Sequence, residues 1–268
     1  MTRRRIIARP TSRLAVWSLR VAGFALAATF LAVVIVRLDF LEALPGLAVL
    51  GGALFMAVVA ILLAFGAFVI IWNEGTGGLR LAVAAFFLGI AVLAYPAYLG
   101  IKGYRLPPLN DVTTDMEDPP RFEVITRLRP RDANPIAYPG AAAATLQRAN
   151  YPDLEPLVVN TTPKELYEAA IAVITKRKWR VVDARQPEER RADRPARDGR
   201  IEAVVRTPIM GFRDDVVVRV RAGQGGARLD ARSASRYGVY DFGNNAQRVR
   251  SLVDDIDETL GSQPPAKR

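Results

Sequence analysis

The sequence predicts an α-helical membrane part at the N-terminus, followed by a soluble α+β domain in which an antiparallel sheet of about five strands carries two helices on one face. Three observations predict this class. Long apolar segments occupy most of the first 104 residues. Beyond them, several short segments alternate apolar and charged residues, as half-buried strands do. Two further segments have the apolar period of a helix, and their order among the strands favours an α+β domain.

The three apolar segments are residues 14–36, 47–72 and 79–101. Each reaches the roughly 20 residues that a helix needs to cross a bilayer. The first exceeds the core of a signal peptide, which is about 7–15 residues long, so we expect it to be retained. The second is rich in Gly and Ala, which let helices approach closely. Its small residues would pack against the other two segments of the same chain, which we favour, or against a second copy.

Basic residues cluster ahead of the first apolar segment. Residues 1–102 hold 9 Lys and Arg against 3 Asp and Glu, and five arginines precede position 14. Such a start stays in the cytoplasm, so three crossings place the C-terminal domain outside it. Lys102 and Arg105 argue the other way. The expected location is a cell (inner) membrane, multi-pass, with a cytoplasmic N-terminus and a periplasmic or otherwise extracytoplasmic domain.

Several kinds of site are excluded by composition. The chain contains no Cys and no His, which rules out disulfides, thiol nucleophiles, Cys/His zinc sites and Ser-His-Asp triads. The net charge of +10 is not gathered on one soluble element, since residues 103–268 hold 28 basic and 24 acidic residues. We therefore expect no nucleic-acid partner. No Gly-rich phosphate loop appears, and no cofactor is predicted.

Residues 105–121 combine prolines with acids, which is typical of an extended tether. The acids from Asp111 to Asp118 would hold a cation only weakly, and such linkers are usually solvated, so no metal site is predicted. The soluble domain is expected over residues 122–262, and a disordered tail over 263–268.

The elements of the soluble domain follow from periodicity and end signals. Thr162 and Glu165 form a capping box at the start of one helix, and a second helix is predicted over 244–260. Residues 129–156 form a long connection, which is expected either to have a function or to wrap the core. Residues 186–199 are predicted to be a charged, solvated loop. Strands are predicted at residues 122–128, 179–184, 200–207, 215–221 and 227–235.

Alternation in the last three strands assigns their faces. Ile201, Val218 and Leu229 share the apolar face with their alternate neighbours. The opposite face is charged and is predicted to be a polar outer surface with ion pairs between strands. Its residues are Arg200, Glu202, Arg206, Asp215, Arg219, Arg221, Arg228, Asp230 and Arg232.

Three segments resemble a known family. They are GRIEAVVRTPIMGFRDDVVVRVR at residues 199–221, RLDARSASRYGVYDFGNNAQRVR at 228–250 and YPDLEPL at 151–157. They look like domain-of-unknown-function family 1499, an uncharacterised family of proteobacteria, cyanobacteria and plastids whose domain sometimes follows membrane spans or an export signal. The resemblance extends over most of residues 108–260. It implies an envelope or lumenal location and no particular activity.

The segment from Arg232 to Arg248 is the main candidate site. A helix start offers free N–H groups and a positive dipole end, and Arg236 and Arg248 would clamp a phosphate or carboxylate in forked geometry. The other candidate residues for this anion site are Ser233, Ser235, Asn244 and Asn245. The alternative is a strand-to-helix corner whose polar residues are only caps.

Asp214 and Asp215 form a second candidate. Adjacent residues of a strand point to opposite faces, so these acids are not a general acid/base pair by themselves. We expect one of them to pair with Arg232 or Arg213 as a structural lock, with a catalytic carboxylate as the alternative.

Three functions fit these observations. The first is a binding module for an anionic small molecule or envelope component, or for a membrane protein partner. The second is a scaffold subunit of a membrane complex. The third is a hydrolase or transferase that uses Asp214 or Asp215 with Arg236 and Arg248, and it is the least favoured because His and Cys are absent. In each case the lipid bilayer is an expected partner.

Overall fold

The computed structural model describes residues 9–188 and 196–261. These residues form two compact units. One contains the N-terminal helices up to Ile101 together with Pro208–Gly211, and the other begins at Lys102 and contains the sheet. The tail predicted for residues 263–268 lies outside the described residues, as do residues 189–195 of the predicted charged loop.

The first unit contains three helices, α1 (Arg13–Arg37), α2 (Ala43–Glu74) and α3 (Leu79–Arg105), and the last turn of α3 belongs to the second unit. All three are long and apolar enough to cross a membrane, as predicted.

Small residues line the contacts among these helices. Ala60 and Ala64 of α2 are fully buried against Ala22 of α1 and Ala85 of α3. At Gly89 of α3, a Cβ atom would lie 2.7 Å from Ile61, so only glycine permits this approach. Small residues of α2 are therefore buried within one chain. Large apolar side chains face outward, as a lipid environment requires; they include Phe24, Phe30, Phe55 and Leu62.

The second unit is built on an open antiparallel sheet of six strands. The order is β1-β6-β5-β4-β3, and β2 also pairs with β6. β1 pairs with residues 232–234 and β2 with residues 227–229, so the two short strands share one edge of β6. The strands are β1 (Asp111–Thr113), β2 (Leu157–Val159), β3 (Arg180–Arg185), β4 (Gly199–Arg206), β5 (Arg213–Gly223) and β6 (Gly226–Ser235).

Two helices cover the apolar face of this sheet, as predicted. They are α5 (Pro163–Lys176) and α6 (Asn244–Gly261). Leu166 of α5 and Leu252 of α6 are fully buried in the core that both helices form with the strands. The predicted capping box is present, since Glu165 N–H donates to Thr162 Oγ1 at 3.2 Å and Glu165 Oε2 accepts from Thr162 N–H at 3.0 Å.

The strand predicted at 122–128 is wrong. This segment contains a 3₁₀ turn, Ile125–Arg127. The buried Glu202 carboxylate accepts the N–H groups of Glu123 at 2.5 Å and of Ile125 at 2.8 Å, so the backbone here binds a side chain instead of a neighbouring strand. The long connection after it contains a further helix, α4 (Ala141–Asn150), which begins with the alanine run.

Part of the segment expected to be a tether lies in the sheet. Asp111–Thr113 forms β1, and Arg232 of β6 holds Asp111 at 2.6 Å. Asp111, Asp115 and Asp118 of this segment are paired with arginines more than a hundred residues away, which a local pattern of prolines and acids does not reveal.

Most of the charged face of the sheet is buried or partly buried, contrary to the predicted polar outer surface. The alternation itself is confirmed, but Glu202 and Asp230 are fully buried. The segment from Asp115 to Tyr138 covers this face, and its Phe122 and Ile125 pack on apolar residues of β4, β5 and β6. The predicted ion pairs between strands are present. Arg219 and Asp230 stand opposite each other on β5 and β6, 2.9 Å apart.

Candidate functional site

Four residues of the predicted anion site meet where β6 faces α6. Ser233 and Ser235 alternate on the helix side of β6, while Asn245 and Arg248 lie one turn apart on α6. Arg248 Nη1 donates to Ser233 Oγ at 2.8 Å and to Asn245 Oδ1 at 2.5 Å, and Asn245 Nδ2 donates to Ser235 Oγ at 3.0 Å. The sequence therefore identified a real polar cluster.

The carboxylate that this cluster holds is Asp214. Arg248 Nη2 donates to Asp214 Oδ2 at 2.7 Å, and both side chains are more than nine-tenths buried. Asp214 reaches the cluster because it stands opposite Ser235 in the pairing of β5 with β6.

The start of α6 also holds a carboxylate of the chain. Asp241 accepts the N–H groups of Gly243 and Asn245, each at 2.7 Å, and its carbonyl accepts from Asn244 Nδ2. Burial raises the pKa of Asp241, while these two N–H groups oppose the shift. The position that favours an anion at a helix start is thus occupied by Asp241.

Arg236 lies on the other face of the sheet. It donates to Asp215 through Nε at 3.0 Å and Nη2 at 2.7 Å, and Arg129 Nε lies 3.3 Å from Asp215 Oδ2. Arg236 and Arg248 therefore do not share one anion. Arg236 has the opposite parity to Ser233 along the strand and points to the other face, whereas Arg248 of α6 contacts Ser233.

Asp214 and Asp215 do point to opposite faces, and each forms an ion pair with an arginine. Their partners are Arg248 and Arg236, whereas the predicted partner Arg232 pairs with Asp111. The Arg232 guanidinium also lies 4.9 Å from the ring centre of Phe122 and 5.5 Å from that of Tyr138.

Asp115 is the centre of a larger network, the Asp115 cluster, on the covered face. Its Oδ2 accepts from Arg228 at 2.7 Å, and its Oδ1 accepts from two backbone N–H groups of the next turn. Burial alone would raise the pKa of Asp115, but these N–H groups together with Arg228 and Arg219 lower it below its usual value. The cluster comprises Asp115, Asp118, Arg219, Arg221, Arg228 and Asp230.

The acids of the Asp115 cluster are paired with arginines, so they have little capacity to bind a metal cation. Within residues 9–188 and 196–261, no three acidic side chains converge in a way that would hold a metal ion.

An open groove of about 520 Å³ lies beside the start of α6, and its residues all belong to the second unit. We call it the Tyr151 groove. Sequence reasoning missed it; the only signal was that most of its residues lie in two of the three segments that carry the family resemblance. It is lined by Lys102, Leu106, Tyr151, Phe242, Gly243, Gln247, Arg250, Ser251 and Asp254.

Tyr151 has an unusual environment at the base of this groove. It is 9 % exposed, and its hydroxyl makes no hydrogen bond. Gly243 lies directly over it, since a Cβ there would stand 3.4 Å from Tyr151 Oη. Burial and the nearby Asp241 raise the pKa of Tyr151, so the hydroxyl stays protonated and remains a donor. An unsatisfied buried donor costs about 1–3 kcal/mol.

Two cations line the same groove as Tyr151. Lys102 lies in the last turn of α3. Arg250 donates to Asp153 through Nε at 2.5 Å and Nη2 at 2.9 Å, in an ion pair that is about half exposed. The wall of the groove thus contains an ammonium, a guanidinium and a tyrosine, with Asp254 as its acid.

A second cavity of about 250 Å³ is a weaker candidate. Asn134 Nδ2 donates to the carbonyls of Ser235 and Gly238, and Asn110 Nδ2 donates to that of Gly238. The amide donors are thus already used, and no cation lines the cavity. Its walls are Asn110, Asp111, Asn134, Pro135, Ala137, Pro139, Ala234 and Ser235.

A comparison with models of protein families gives a match. The family model described as "Protein of unknown function (DUF1499)" matches residues 111–256. It extends from β1 into α6 and includes every residue of the Tyr151 groove except Lys102 and Leu106. No curated protein matches the chain.

Proposed function

The chain belongs to the DUF1499 family of proteins of unknown function, and we propose that it is a membrane-anchored binding protein that holds an anionic ligand in the Tyr151 groove. The observation that carries the proposal is the buried Tyr151 hydroxyl, which has no partner within the protein. Buried donors are nearly always satisfied, and exceptions call for an explanation. An anionic oxygen between Lys102 and Arg250 would supply the missing acceptor.

The pairing of the acids favours binding over catalysis. A general acid or base must exchange a proton with its substrate. Asp214 and Asp215 each accept an arginine hydrogen bond at 2.7 Å and are nearly inaccessible to solvent. Neither is available to a substrate, so the geometry gives no support to a carboxylate-based hydrolase or transferase.

The proposed location is the cell (inner) membrane, with the domain outside the cytoplasm. Five arginines ahead of α1 support a cytoplasmic N-terminus, and three crossings then carry the chain outward. The ligand would in that case be a component of the cell envelope.

A scaffold subunit that binds a membrane protein partner is the second candidate. It is supported by Val239 and Tyr240, which are 65 % and 43 % exposed in the connection between β6 and α6. An apolar exposed pair of this kind suits a protein contact.

Thermal unfolding of the full-length protein in an uncharged detergent tests the first candidate. The probes are sodium phosphate, adenosine monophosphate, glycerophosphoglycerol and phosphatidylglycerol. A ligand present at about 100 times its dissociation constant adds about 2.7 kcal/mol to stability, so at least one probe should raise Tm clearly.

The matched variants are Tyr151→Phe and Tyr138→Phe, because the Tyr138 hydroxyl is also buried without a partner but lies outside the groove. Tyr151→Phe should reduce the shift, and Tyr138→Phe should not. If no probe raises Tm, or if both variants respond alike, the binding proposal fails and the scaffold becomes the better candidate.

A further inference from the structure

We infer that the ligand of the Tyr151 groove is an anionic phospholipid, with its phosphodiester between Lys102 and Tyr151 and the start of its acyl chains against Leu106 and Phe242. This inference rests on the proposed binding function and specifies its ligand class. Three observations carry it: the size of the groove, the division of its wall into polar and apolar parts, and its connection to a membrane-spanning helix.

The size of the groove argues against a small free anion. Sites for small molecules have volumes of about 300–1,000 Å³, and the groove lies within this range at about 520 Å³. An inorganic phosphate or a single carboxylate would occupy only a small part of it. The volume suits a headgroup together with the first atoms of its chains.

The wall is divided as an amphiphile requires. Lys102 and Arg250 provide charge, and an ammonium is a common partner of phosphate. Leu106 and Phe242 provide apolar surface. The Phe242 ring stacks on that of Tyr240 with their centres 6.4 Å apart, and Tyr240 is itself 43 % exposed. Apolar surface therefore continues from the groove onto the protein exterior, where acyl chains could follow it.

The backbone of Phe242 is strained at this point. Its φ is +54°, and a left-handed conformation costs a residue with a side chain about 1–2 kcal/mol. The ring packs near Gly103, where a Cβ would lie 3.1 Å from it. Strain of this kind tends to occur at binding sites, and here the strained residue forms part of the apolar wall.

The connection to α3 identifies the source of the ligand. Lys102 is in the last turn of α3, and Leu106 directly follows that helix. Because α3 is apolar enough to cross a membrane, two residues of the wall are within a few residues of a membrane-spanning segment. Anionic lipids also attract basic residues that adjoin such a segment. The nearest abundant phosphodiesters are therefore those of lipids.

Native mass spectrometry of the full-length protein, delipidated in an uncharged detergent, tests this inference. The ligands are phosphatidylglycerol, phosphatidylcholine, which has the same phosphodiester but no net charge, and glycerophosphoglycerol, which is the headgroup without chains. We expect phosphatidylglycerol to bind at least tenfold more tightly than either of the others.

The variants are Tyr151→Phe, Lys102→Gln and the control Tyr138→Phe. Each of the first two should weaken phosphatidylglycerol binding about tenfold, which corresponds to the loss of one hydrogen bond to a charged group. The control should bind like the unsubstituted protein.

The outcomes separate the inference from the proposed function. If glycerophosphoglycerol binds as tightly as phosphatidylglycerol and Tyr151→Phe weakens both, the lipid inference is overturned and the anion-binding function stands. If the two lipids bind equally and Tyr151→Phe changes neither, the protein has only non-specific surrounding lipid, and both proposals are overturned.

Discussion

Two buried tyrosine hydroxyls, those of Tyr151 and Tyr138, have no partner within the protein. The first belongs to the groove, and the second lies beside Arg232 on the covered face of the sheet. Burial raises the pKa of Tyr138 to about 12, so neither hydroxyl gains by ionising near neutral pH. In the ligand-free protein, both groups are desolvated without compensation.

Replacing either tyrosine by phenylalanine should therefore not destabilise the ligand-free protein. Tyr151→Phe and Tyr138→Phe lose no hydrogen bond and remove a desolvated donor, so each should leave the free energy of unfolding unchanged or raise it by about 1 kcal/mol. Denaturant unfolding of the delipidated full-length protein measures this. A loss of more than about 1 kcal/mol in either variant would mean that its hydroxyl has a partner after all.

Removing an acid from the Asp115 cluster should, in contrast, destabilise the protein. Asp115→Asn removes the acid shared by Arg219, Arg221 and Arg228 and leaves their charges partly buried and under-compensated. Breaking such pairs costs about 3 kcal/mol. The control is Asp153→Asn, which removes a half-exposed pair with Arg250 and should cost less than about 1 kcal/mol. Equal losses in the two variants would show that the cluster contributes no more than a surface pair.

Asp115 should also make the stability of the protein depend on pH. The folded-state pKa of Asp115 is lowered, so its contribution to stability is fully present above its unfolded value, near 4, and is lost as the pH falls through the folded value. The difference in Tm between the unsubstituted protein and Asp115→Asn should therefore be constant from pH 7 to 5 and should shrink below pH 4. A difference that grows as the solution becomes more acidic would contradict this.

At the scale of elements, the outer edge of β1 is hydrogen-bonded by a side chain instead of by a neighbouring strand. Gln147 of α4 is fully buried, its Oε1 accepts Thr113 N–H at 3.1 Å, and its Nε2 donates to Thr113 O at 2.6 Å. One amide thus satisfies the edge of β1 that no strand covers, which is how a three-residue strand is kept in the sheet.

Gln147→Leu should consequently destabilise the protein by about 3 kcal/mol, since it leaves a buried N–H and a buried C=O without partners. Gln224→Leu, in the exposed turn between β5 and β6, changes the same atoms and should alter stability by less than about 0.5 kcal/mol. Faster hydrogen exchange at Thr113 in Gln147→Leu would locate the effect. If exchange there is unchanged, the amide does not hold β1.

The elements that sequence reasoning found are those with a local signal. The α5 capping box, the apolar stripe of α6 and the alternation of β4, β5 and β6 are each encoded within about fifteen residues. β1 and β2 have three residues each and are defined only by their pairing with β6, so no period can reveal them. The burial of the charged face was missed for a related reason, because it depends on a covering segment that begins at Asp115, remote in sequence.

The candidate site, too, could be predicted from the sequence only where the signal is local. Alternation correctly placed Asp214 and Asp215 on opposite faces, and the polar residues around Asn245 do meet. The alternation of β6 assigns Arg236 to the charged face, whereas Arg248 is on a helix that covers the apolar face, so their separation was also implied. Which acid each arginine pairs with depends on strand register. The Tyr151 groove joins residues 102, 151 and 242, and nothing local connects these positions.

At the scale of the whole molecule, the three apolar helices are the most strongly encoded feature. Their length and composition alone identify them, and alanines such as Ala60 and Ala64 allow them to pack within one chain. The orientation of the chain is a separate property, since it depends on charges outside the helices. Arg3, Arg4 and Arg5 favour a cytoplasmic N-terminus, while Lys102 and Arg105 oppose it.

We predict that the N-terminal arginines prevail, because the charges that flank the first helix usually dominate. Alkaline phosphatase fused to the C-terminus should then be active in a Gram-negative host, and green fluorescent protein at the same position should be dark. Replacing Arg3, Arg4 and Arg5 by Gln should lower the phosphatase activity, since Lys102 and Arg105 would then compete, whereas replacing Lys102 and Arg105 should leave it unchanged or raise it. A fluorescent fusion without phosphatase activity would place the domain in the cytoplasm. A ligand of the Tyr151 groove would then have to come from the cytoplasmic leaflet, and an envelope component would no longer be a candidate.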